Sequence, residues 1–433
     1  MDPTAIDRIR RNGVVGAGGA GFPSHVKFQS SAEIFIVNAA ECEPLLHKDK
    51  ELLKAHSDEI LAGMRLAMEL VGAKEGVIGI KEKYGEVIAL LERRISDGIR
   101  LHLLPDIYPA GDEFVLVHLV TGRVIPPGGL PIHVGVLVNN VETLLNIALD
   151  RPVTRKYLTV AGHVAAPATV CVPVGTPMRE AIELAGGARS SPWAILEGGV
   201  MMGRLVQDPD TPVTKTTGGL VVLPDDHPLL VRYRRDWNTI NRIGKAACDQ
   251  CTFCTELCPR YLLGHPIQPH KAMRGLGFME DRIPQIVGTA FCCECNLCSM
   301  IACPENLDPK NVCAQFKQET RLENIHWEGE AREPHPIIDD RRVPLSRLFT
   351  KLDLNRFENV GPLISETVEP RSVRLPVKQH VGAPGEARVK VGDRVVEGDV
   401  VAEPPSDALG VPVHASISGR VTEVGDSIVI EVG

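Results

Sequence analysis

The sequence predicts a multidomain α/β chain, and three observations predict it. Residues 34–104 alternate strand-like and helix-like runs in the order β-α-β-α-β, the pattern of a parallel sheet with helices on its faces. Eight of the 12 cysteines form two regularly spaced groups between 248 and 303. Two stretches of short apolar runs broken by Gly and Pro, 155–235 and 374–433, lie on either side of those cysteines. By length alone, 433 residues have room for about three domains.

The elements follow in order. "AIDRIRR" reads as a helix, and "IFIVN" (34–38) as a short β-branched strand. "SDEILAGMRLAMELVG" reads as a helix, with Ser57 as N-cap, Asp58 and Glu59 in its first turn and Gly72 as its stop. "GVIGI" (76–80) is a second strand. "EKYGEVIALLERRI" is a helix with Val87, Leu90, Leu91 and Ile95 on one face, and "IRLHLL" (99–104) is a third strand. Between 155 and 235, "YLTVAGHV", "ATVCVPVG" and "GGLVVLP" are strand-like, and "PMREAIELAG" is the one helix among them. Residues 325–372 are rich in charge and proline and read as a connector with one helix-like segment, "LSRLFTKLDL". Residues 374–433 are all-β, with "GD" at the turns.

Composition excludes several classes. The net charge of −8 comes with no basic stripe, which argues against nucleic-acid binding. No apolar run reaches 18 residues, so no membrane span is expected. "MDPTAIDRIRRNG" has no signal-peptide h-region, so the expectation is a cytoplasmic protein.

The first cysteine group is "CDQCTFCTELCP": Cys248, Cys251, Cys254, Cys258, then a proline. Its C-x2-C-x2-C-x3-C-P spacing is that of bacterial ferredoxins with [4Fe–4S] clusters. The second, "CCECNLCSMIACP", supplies Cys292, Cys295, Cys298 and Cys303, with a last gap one residue longer. In two-cluster ferredoxins the fourth cysteine of each run serves the other cluster. The expected sets are therefore Cys248, Cys251, Cys254 and Cys303 for one, and Cys292, Cys295, Cys298 and Cys258 for the other. Cys293 is the alternative to Cys292. Structural zinc needs only two pairs of ligands and fits less well. Cys42, Cys171 and Cys313 read as packing residues.

"GVVGAGGAGFPSHVK" (13–27) is a dense glycine loop. A dinucleotide fingerprint needs a strand before such a loop, and here a helix precedes it. A triphosphate loop needs G-K-[ST] after the last glycine, and that is absent. Three further motifs stand downstream: "VNAAECEPLLHKD" (37–49), "YPAGDE" (108–113) and "VNNVET" (138–143).

With those motifs in that order, the chain resembles the NADH-oxidising flavoprotein subunit of respiratory complex I and its relatives, the RnfC and PduS-type cobalamin reductase families. The resemblance covers essentially the whole chain. A sandwich at the C-terminus, "CPRYLLGHPIQPH", the stretched "CSMIACP" and "RVPLSRLF" look PduS-like. It implies a Rossmann-like FMN/NADH-binding domain (1–150) and a β-grasp domain of the SLBB type (151–238). A ferredoxin-like all-α domain for two [4Fe–4S] clusters (239–325), a connector (326–373) and a barrel-sandwich hybrid (374–433) would follow. The chain departs from the complex I pattern at Ala17 (arginine there), at Ala40 (aspartate there) and in "PPGGLP" (126–131), where that protein has a phenylalanine by the NADH adenine.

The resemblance also implies roles. Backbone N–H groups of Gly16, Gly18, Gly19, Ala20 and Gly21, helped by the Lys27 charge, would hold the FMN phosphate. Phe22 would lie by the cofactor or in the core. Asn38 and Glu41, at the end of the first strand, would face the isoalloxazine side, near Tyr108 and Gly111. Glu43 and Glu113 match catalytic positions near the nicotinamide and its ribose, or are helix N-terminal acids. Asp112 suits either the cofactor or a helix N-terminus, and Asn139 and Asn140 suit either FMN or an N-cap. NADH delivers two electrons as hydride, a cluster accepts one, and flavin converts between them. The implied function is an electron path from NADH through FMN and two clusters to an acceptor, cobalamin foremost. The alternatives are a dehydrogenase subunit of a larger complex and a cluster-bearing scaffold without NADH activity. The acceptor is a corrinoid or a redox partner protein, and the chain is a homo-oligomer or part of a larger complex, cytoplasmic, within a microcompartment or peripheral to a membrane complex. "VPVHASISG" lacks the lysine of a lipoyl or biotinyl carrier, so the sandwich reads as a docking or packing module, and the β-grasp domain as a corrinoid or partner site.

Overall fold

The computed structural model describes residues 3–278, 282–330 and 332–433. Helix α1 (Pro3–Arg11) leads into the glycine loop, which the short helix α2 (Ser24–Lys27) closes. Four parallel strands follow: β1 (Ile34–Ala39), β2 (Glu75–Lys81), β3 (Ile99–Leu104) and, after the two-residue β4 (Ile107–Tyr108), β5 (Val136–Asn140). Their order is β3-β2-β1-β5. The chain thus steps outward from β1 to β3 and then crosses back to the other side of β1.

Alternate side chains of β1 enter two different cores, as strand periodicity requires. Phe35 and Val37 pack with α3 (Lys48–Ala55), α4 (Ser57–Val71), α5 (Gly85–Glu92) and α7 (Val141–Leu149). Ile36 packs with Leu116, Val117 and Val120 of α6 (Glu113–Thr121). Helices α4 and α7 touch at Gly63, where a Cβ would come within 2.2 Å of the Leu144 carbonyl oxygen. Gly72 ends α4 in the left-handed region, as expected. Ser57, however, is the first helical residue; His56 precedes it and gives no side-chain cap. The helix expected over 82–95 is shorter, because Lys81 and Lys83 both reach Asp106 and residues 82–84 form the turn between them.

The second unit is a five-stranded sheet around β6 (Arg155–Gly162) and Gly219–Pro224, with the helix Met178–Glu183 on its core. Two of its strands, Trp193–Glu197 and Arg204–Val206, are absent from the sequence reading. The cysteine unit is built of short helices, the longest being Trp237–Ala247 and Pro309–Leu322. The connector is a structural part of the core: Val343 pairs with Tyr108 of β4, and Leu345, Leu348 and Phe349 pack with Leu196, Val221 and Met300. The C-terminal unit places a four-stranded sheet beside a three-stranded one. No helix among the described residues is long and apolar enough to cross a membrane.

Candidate functional site

Strand order reverses at β1, so a crevice opens beyond the carboxyl ends of β1 and β5, where open α/β sheets bind ligands. The glycine loop lies over it as a tight turn. The Gly16 N–H donates to Phe22 O (2.9 Å), and the Gly21 N–H donates to Gly16 O (3.2 Å). Gly19 (φ +111°) and Gly21 (φ +66°) adopt a backbone that favours glycine. The turn is pinned to the start of α7: the Ala17 N–H donates to Thr143 Oγ1 (3.0 Å), and Lys156 Nζ donates to Ala17 O (3.2 Å). A Cβ on Gly18 would press on Asn140 at 3.3 Å, while Gly19 faces open space.

This cradle fits the phosphate end of FMN on two counts. Glycine N–H groups and the α7 N-terminus face one space, which favours an anion. Asn139 is buried, and its Nδ2 has no partner among the described residues. Asn140 is the N-cap of α7: its Oδ1 accepts from the Glu142 N–H (3.1 Å) while its Nδ2 donates to Asp49 (2.8 Å). Lys27 Nζ donates to Val138 O (3.0 Å) and pairs with Glu113 at 3.5 Å. Asn38 binds Gly111 O (2.9 Å), tying β1 to the "YPAGDE" loop. Phe22 is half-buried beside this turn.

Three of the acidic residues singled out by sequence are engaged by protein groups. Glu41 accepts from the Asp49 and Lys50 N–H groups at the start of α3 (2.9 and 3.3 Å). Burial, reinforced by Asp49, pushes its carboxyl up to about 8. Asp112 caps α6 through Phe114 N and Val115 N, as one of its two readings had it. Its second oxygen takes Arg260 Nη2 at 2.8 Å, and that guanidinium stacks 3.4 Å over Phe114. Glu43 accepts from the Met201 N–H (3.0 Å) and the Met202 N–H (2.9 Å), and its Oε1 lies 3.3 Å from Tyr108 OH.

Burial pushes Glu43 up to about 7, against the N–H bonds that favour its charged form. The folded chain therefore holds this proton at pH values where the unfolded chain has released it, and stability falls as pH rises from about 4.5 through about 7. Glu43→Gln removes that dependence. Thermal melts at pH 5 and pH 8 should show the variant gaining about 1–3 kcal/mol on the wild type over that interval. A constant offset between the two proteins would reject the assignment.

The thiols form two groups. Cys248, Cys251, Cys254 and Cys303 line one cavity. Cys258 lies with Cys292 and Cys293, Cys298 with Cys292 and Cys258, and Cys295 with Cys293. The groups abut where Cys254 packs against Cys298 and Ala302. Burial lifts Cys254 to about 12 and Cys258 higher still, a cost that binding of iron as thiolates would reverse. Among the described residues no three Cys, His, Asp or Glu side chains converge as tightly as a single metal ion needs; the first four thiols ring a cavity instead.

Backbone conformation bears on the choice between Cys292 and Cys293. Gln250 and Thr252, two and four residues after Cys248, have φ of +60° and +70°. Glu294 and Asn296 have φ of +58° and +68°, two and four residues after Cys292. Cys292 is thus the counterpart of Cys248. Each sulfur also accepts a local bond, from Gln250 Nε2 (3.2 Å) and from the Glu294 N–H (3.4 Å).

Two side-chain bridges join the crevice to the second thiol group. Tyr108 OH, next to Glu43, donates to Cys295 O at 2.8 Å. Arg260, held by Asp112, also lies beside Cys293. The sequence reading missed Arg260, and it missed the buried Lys48, Glu142 and Lys156 beneath the glycine loop. No local spacing marks any of them. Of the cysteines read as packing residues, Cys42 also accepts a hydrogen bond at Sγ from the Gly111 N–H (3.3 Å), and Cys313, on the helix Pro309–Leu322, is buried in the core.

The units match known domains in the same order. Residues 9–149 match the Nuo51 FMN-binding domain, 157–205 the SLBB domain, 247–308 the 4Fe-4S dicluster domain and 356–432 the RnfC barrel sandwich hybrid domain. Fold and site together define a flavin and iron–sulfur electron-transfer protein. The chain is 46% identical over 428 residues to the cobalamin reductase PduS of Salmonella typhimurium, a match that spans 98% of this chain and 95% of that one. Against the PduS of Citrobacter freundii the identity is 45%, over 97% and 94%. The chain belongs to the PduS cobalamin reductase family. A component of the Na(+)-translocating ferredoxin:NAD(+) oxidoreductase complex of Acetobacterium woodii is 34% identical over 60% of this chain and 59% of its own. An NAD+-reducing [NiFe]-hydrogenase in the H2-reduced state shares the fold, with a TM-score of 0.50 and 21% identity over 76% of this chain and 63% of that one.

Proposed function

We propose that this chain is an NADH-dependent oxidoreductase that uses FMN and two [4Fe–4S] clusters to reduce cobalamin. The observation that carries the reading is the pair of bridges, Glu43–Tyr108–Cys295 and Asp112–Arg260–Cys293, which hold the crevice against the second thiol group. Near-full-length similarity to proteins named cobalamin reductase supports the acceptor. FMN, when bound, supplies the conversion between a two-electron hydride donor and one-electron clusters.

The chain's own residues bind and orient. Gly18, Gly19 and Ala20 offer backbone N–H groups to the phosphate, while the Gly16 and Gly21 N–H groups, expected to do the same, are spent on closing the turn, and the α7 N-terminus adds its partial charge. Asn139 offers its free Nδ2. Asn38, Tyr108 and Gly111 shape the wall beside β1, and Lys27 with Glu113 stands beside Val138 of β5. Cys248, Cys251, Cys254 and Cys303 hold one cluster; Cys258, Cys292, Cys295 and Cys298 hold the other.

The test is anaerobic reconstitution with FMN, iron and sulfide, followed by NADH. The visible absorbance of the bound flavin should bleach, and added cob(III)alamin should restore it. Absence of bleaching rejects the NADH reading. Bleaching without cobalamin turnover favours the second reading, a protein that feeds a larger complex, as the similarity to the ferredoxin:NAD(+) oxidoreductase component suggests.

A further inference from the structure

Lys215 is buried where three units of the chain meet. It lies in the loop before the strand Gly219–Pro224 of the second unit and is 2% exposed. Its Nζ donates to two main-chain carbonyls, Gly13 O at 2.9 Å and Pro412 O at 3.0 Å. Burial pulls this ammonium down to about 7, and among the described residues no carboxylate is paired with it. The two acceptors belong to different units. Gly13 begins the glycine loop, and Pro412 stands just before the short strand Val413–His414 of the C-terminal unit. The Lys215 N–H also donates to Gln379 Oε1 at 3.2 Å, so Lys215 holds the C-terminal unit at two points.

The other end of the glycine loop meets the same two segments. The Val381 N–H donates to Gly21 O at 3.1 Å. A Cβ on Gly21 would come within 2.8 Å of Thr216 Cγ2 and 3.2 Å of His380 Cα. A Cβ on Gly13 would come within 2.5 Å of Lys215 Nζ and 2.8 Å of Pro412 O. Residues 215–216 and 379–381 thus sit against both ends of the loop. Its middle, Gly18, Gly19 and Ala20, carries the N–H groups left for a phosphate.

We propose that Lys215 and residues 379–381 clasp the glycine loop in its phosphate-binding shape, so that the C-terminal unit completes the FMN site. The proposal rests on the reading of that loop as the phosphate cradle. Backbone N–H groups hold an anion well when they already point at one spot. A loop free at both ends has to be ordered as the ligand binds, and that weakens binding. The Lys215 ammonium fixes Gly13, and the Val381 N–H fixes Gly21. Lys215 acts through the loop and is a positioning residue.

The experiment compares FMN with riboflavin, which lacks the phosphate, in fluorescence titrations of the full chain. Wild type, Lys215→Met, Gln379→Met and Ile430→Ala are titrated, and each is also melted. Lys215→Met keeps the length of the side chain and loses the donor. Its FMN dissociation constant should rise about tenfold, while that for riboflavin stays where it was. Gln379→Met removes only the acceptor of the Lys215 N–H and should raise the FMN constant about threefold. Ile430→Ala cuts into the buried core of the same unit. It should lower the melting temperature and leave the preference for FMN intact. If Lys215→Met does not fold, Gln379→Met decides alone. An unchanged preference for FMN in the methionine variants overturns the clasp. So does an Ile430→Ala protein that loses the preference as far as Lys215→Met does, since general loosening would then suffice. A wild type that binds FMN no better than riboflavin fails the cradle reading instead, and the inference falls with it.

Discussion

Glu142→Ala should cost about 3–5 kcal/mol of stability and weaken FMN binding in the same protein. Glu142, Lys48 and Lys156 are all at most 4% exposed. Lys48 Nζ lies 2.9 Å from Glu142 Oε2, Lys156 Nζ also bonds that oxygen, and the Tyr157 N–H donates to Oε1 (3.1 Å). Burial works against the charged carboxylate, but Lys156 and Lys48 outweigh it and hold Glu142 below its ordinary range. Burial also pulls Lys156 down to about 8, so this ammonium already bears a strain that Glu142 only partly relieves. Removing the carboxylate leaves Lys48 and Lys156 buried without their shared counter-charge, with Asp49 2.9 Å from Lys48. Leaving such charges unpaired is the costly way to break a buried pair. At about 2–4 °C per kcal/mol, the melting temperature should fall by roughly 6–20 °C. Lys156 also holds Ala17 O, so the glycine turn loosens when its partner is lost. Lys156→Met should be milder, because Lys48 and Glu142 remain as a neutral pair. Melting curves and a flavin-fluorescence titration of both variants measure this. Glu142→Ala within about 1 kcal/mol of wild type would show that the carboxylate is not the keystone of this cluster.

That triad also shows where sequence reading stops. Lys48 and Lys156 stand 94 and 14 residues from Glu142, on α3, β6 and α7, and no periodicity links them. Their convergence depends on how the sheet of the second unit docks on the first, which is a tertiary fact. What could be read was local. The β1 run, the glycine turn and the cysteine spacings each encode their geometry within a dozen residues, and each stands where the sequence placed it. Glu43 and Asp112 were legible as site residues, but their partners were not, because Met201, Met202 and Arg260 come from other units. The strand Arg204–Val206 is three residues long and exists only through its pairing with Trp193–Glu197, so its sequence carries no signal of its own. Cys292 and Cys293 are chemically identical neighbours, and only the left-handed residues Glu294 and Asn296 distinguish their registers.

The same tertiary logic makes the crossing of the two cysteine motifs a strong test. Cys258 closes the first motif in sequence, yet its thiol neighbours are Cys293 and Cys292. Cys303 closes the second motif, yet it lines the cavity of Cys248, Cys251 and Cys254. Cys258→Ala should therefore empty the buried cluster beside Tyr108, and Cys303→Ala the other, each variant falling from about eight iron atoms to about four. Paired variants separate this from an uncrossed arrangement. Cys258→Ala with Cys295→Ala strikes one cluster twice and should still retain about four iron atoms. Cys258→Ala with Cys251→Ala strikes both clusters and should retain almost none. An uncrossed pairing reverses the two results. The functional consequence is also asymmetric. Tyr108 ties the second group, not the first, to the flavin crevice. In Cys258→Ala the flavin should still bleach with NADH while reduction of any one-electron acceptor downstream stops. In Cys303→Ala the remaining cluster should still be reduced by NADH, giving a paramagnetic signal that Cys258→Ala lacks.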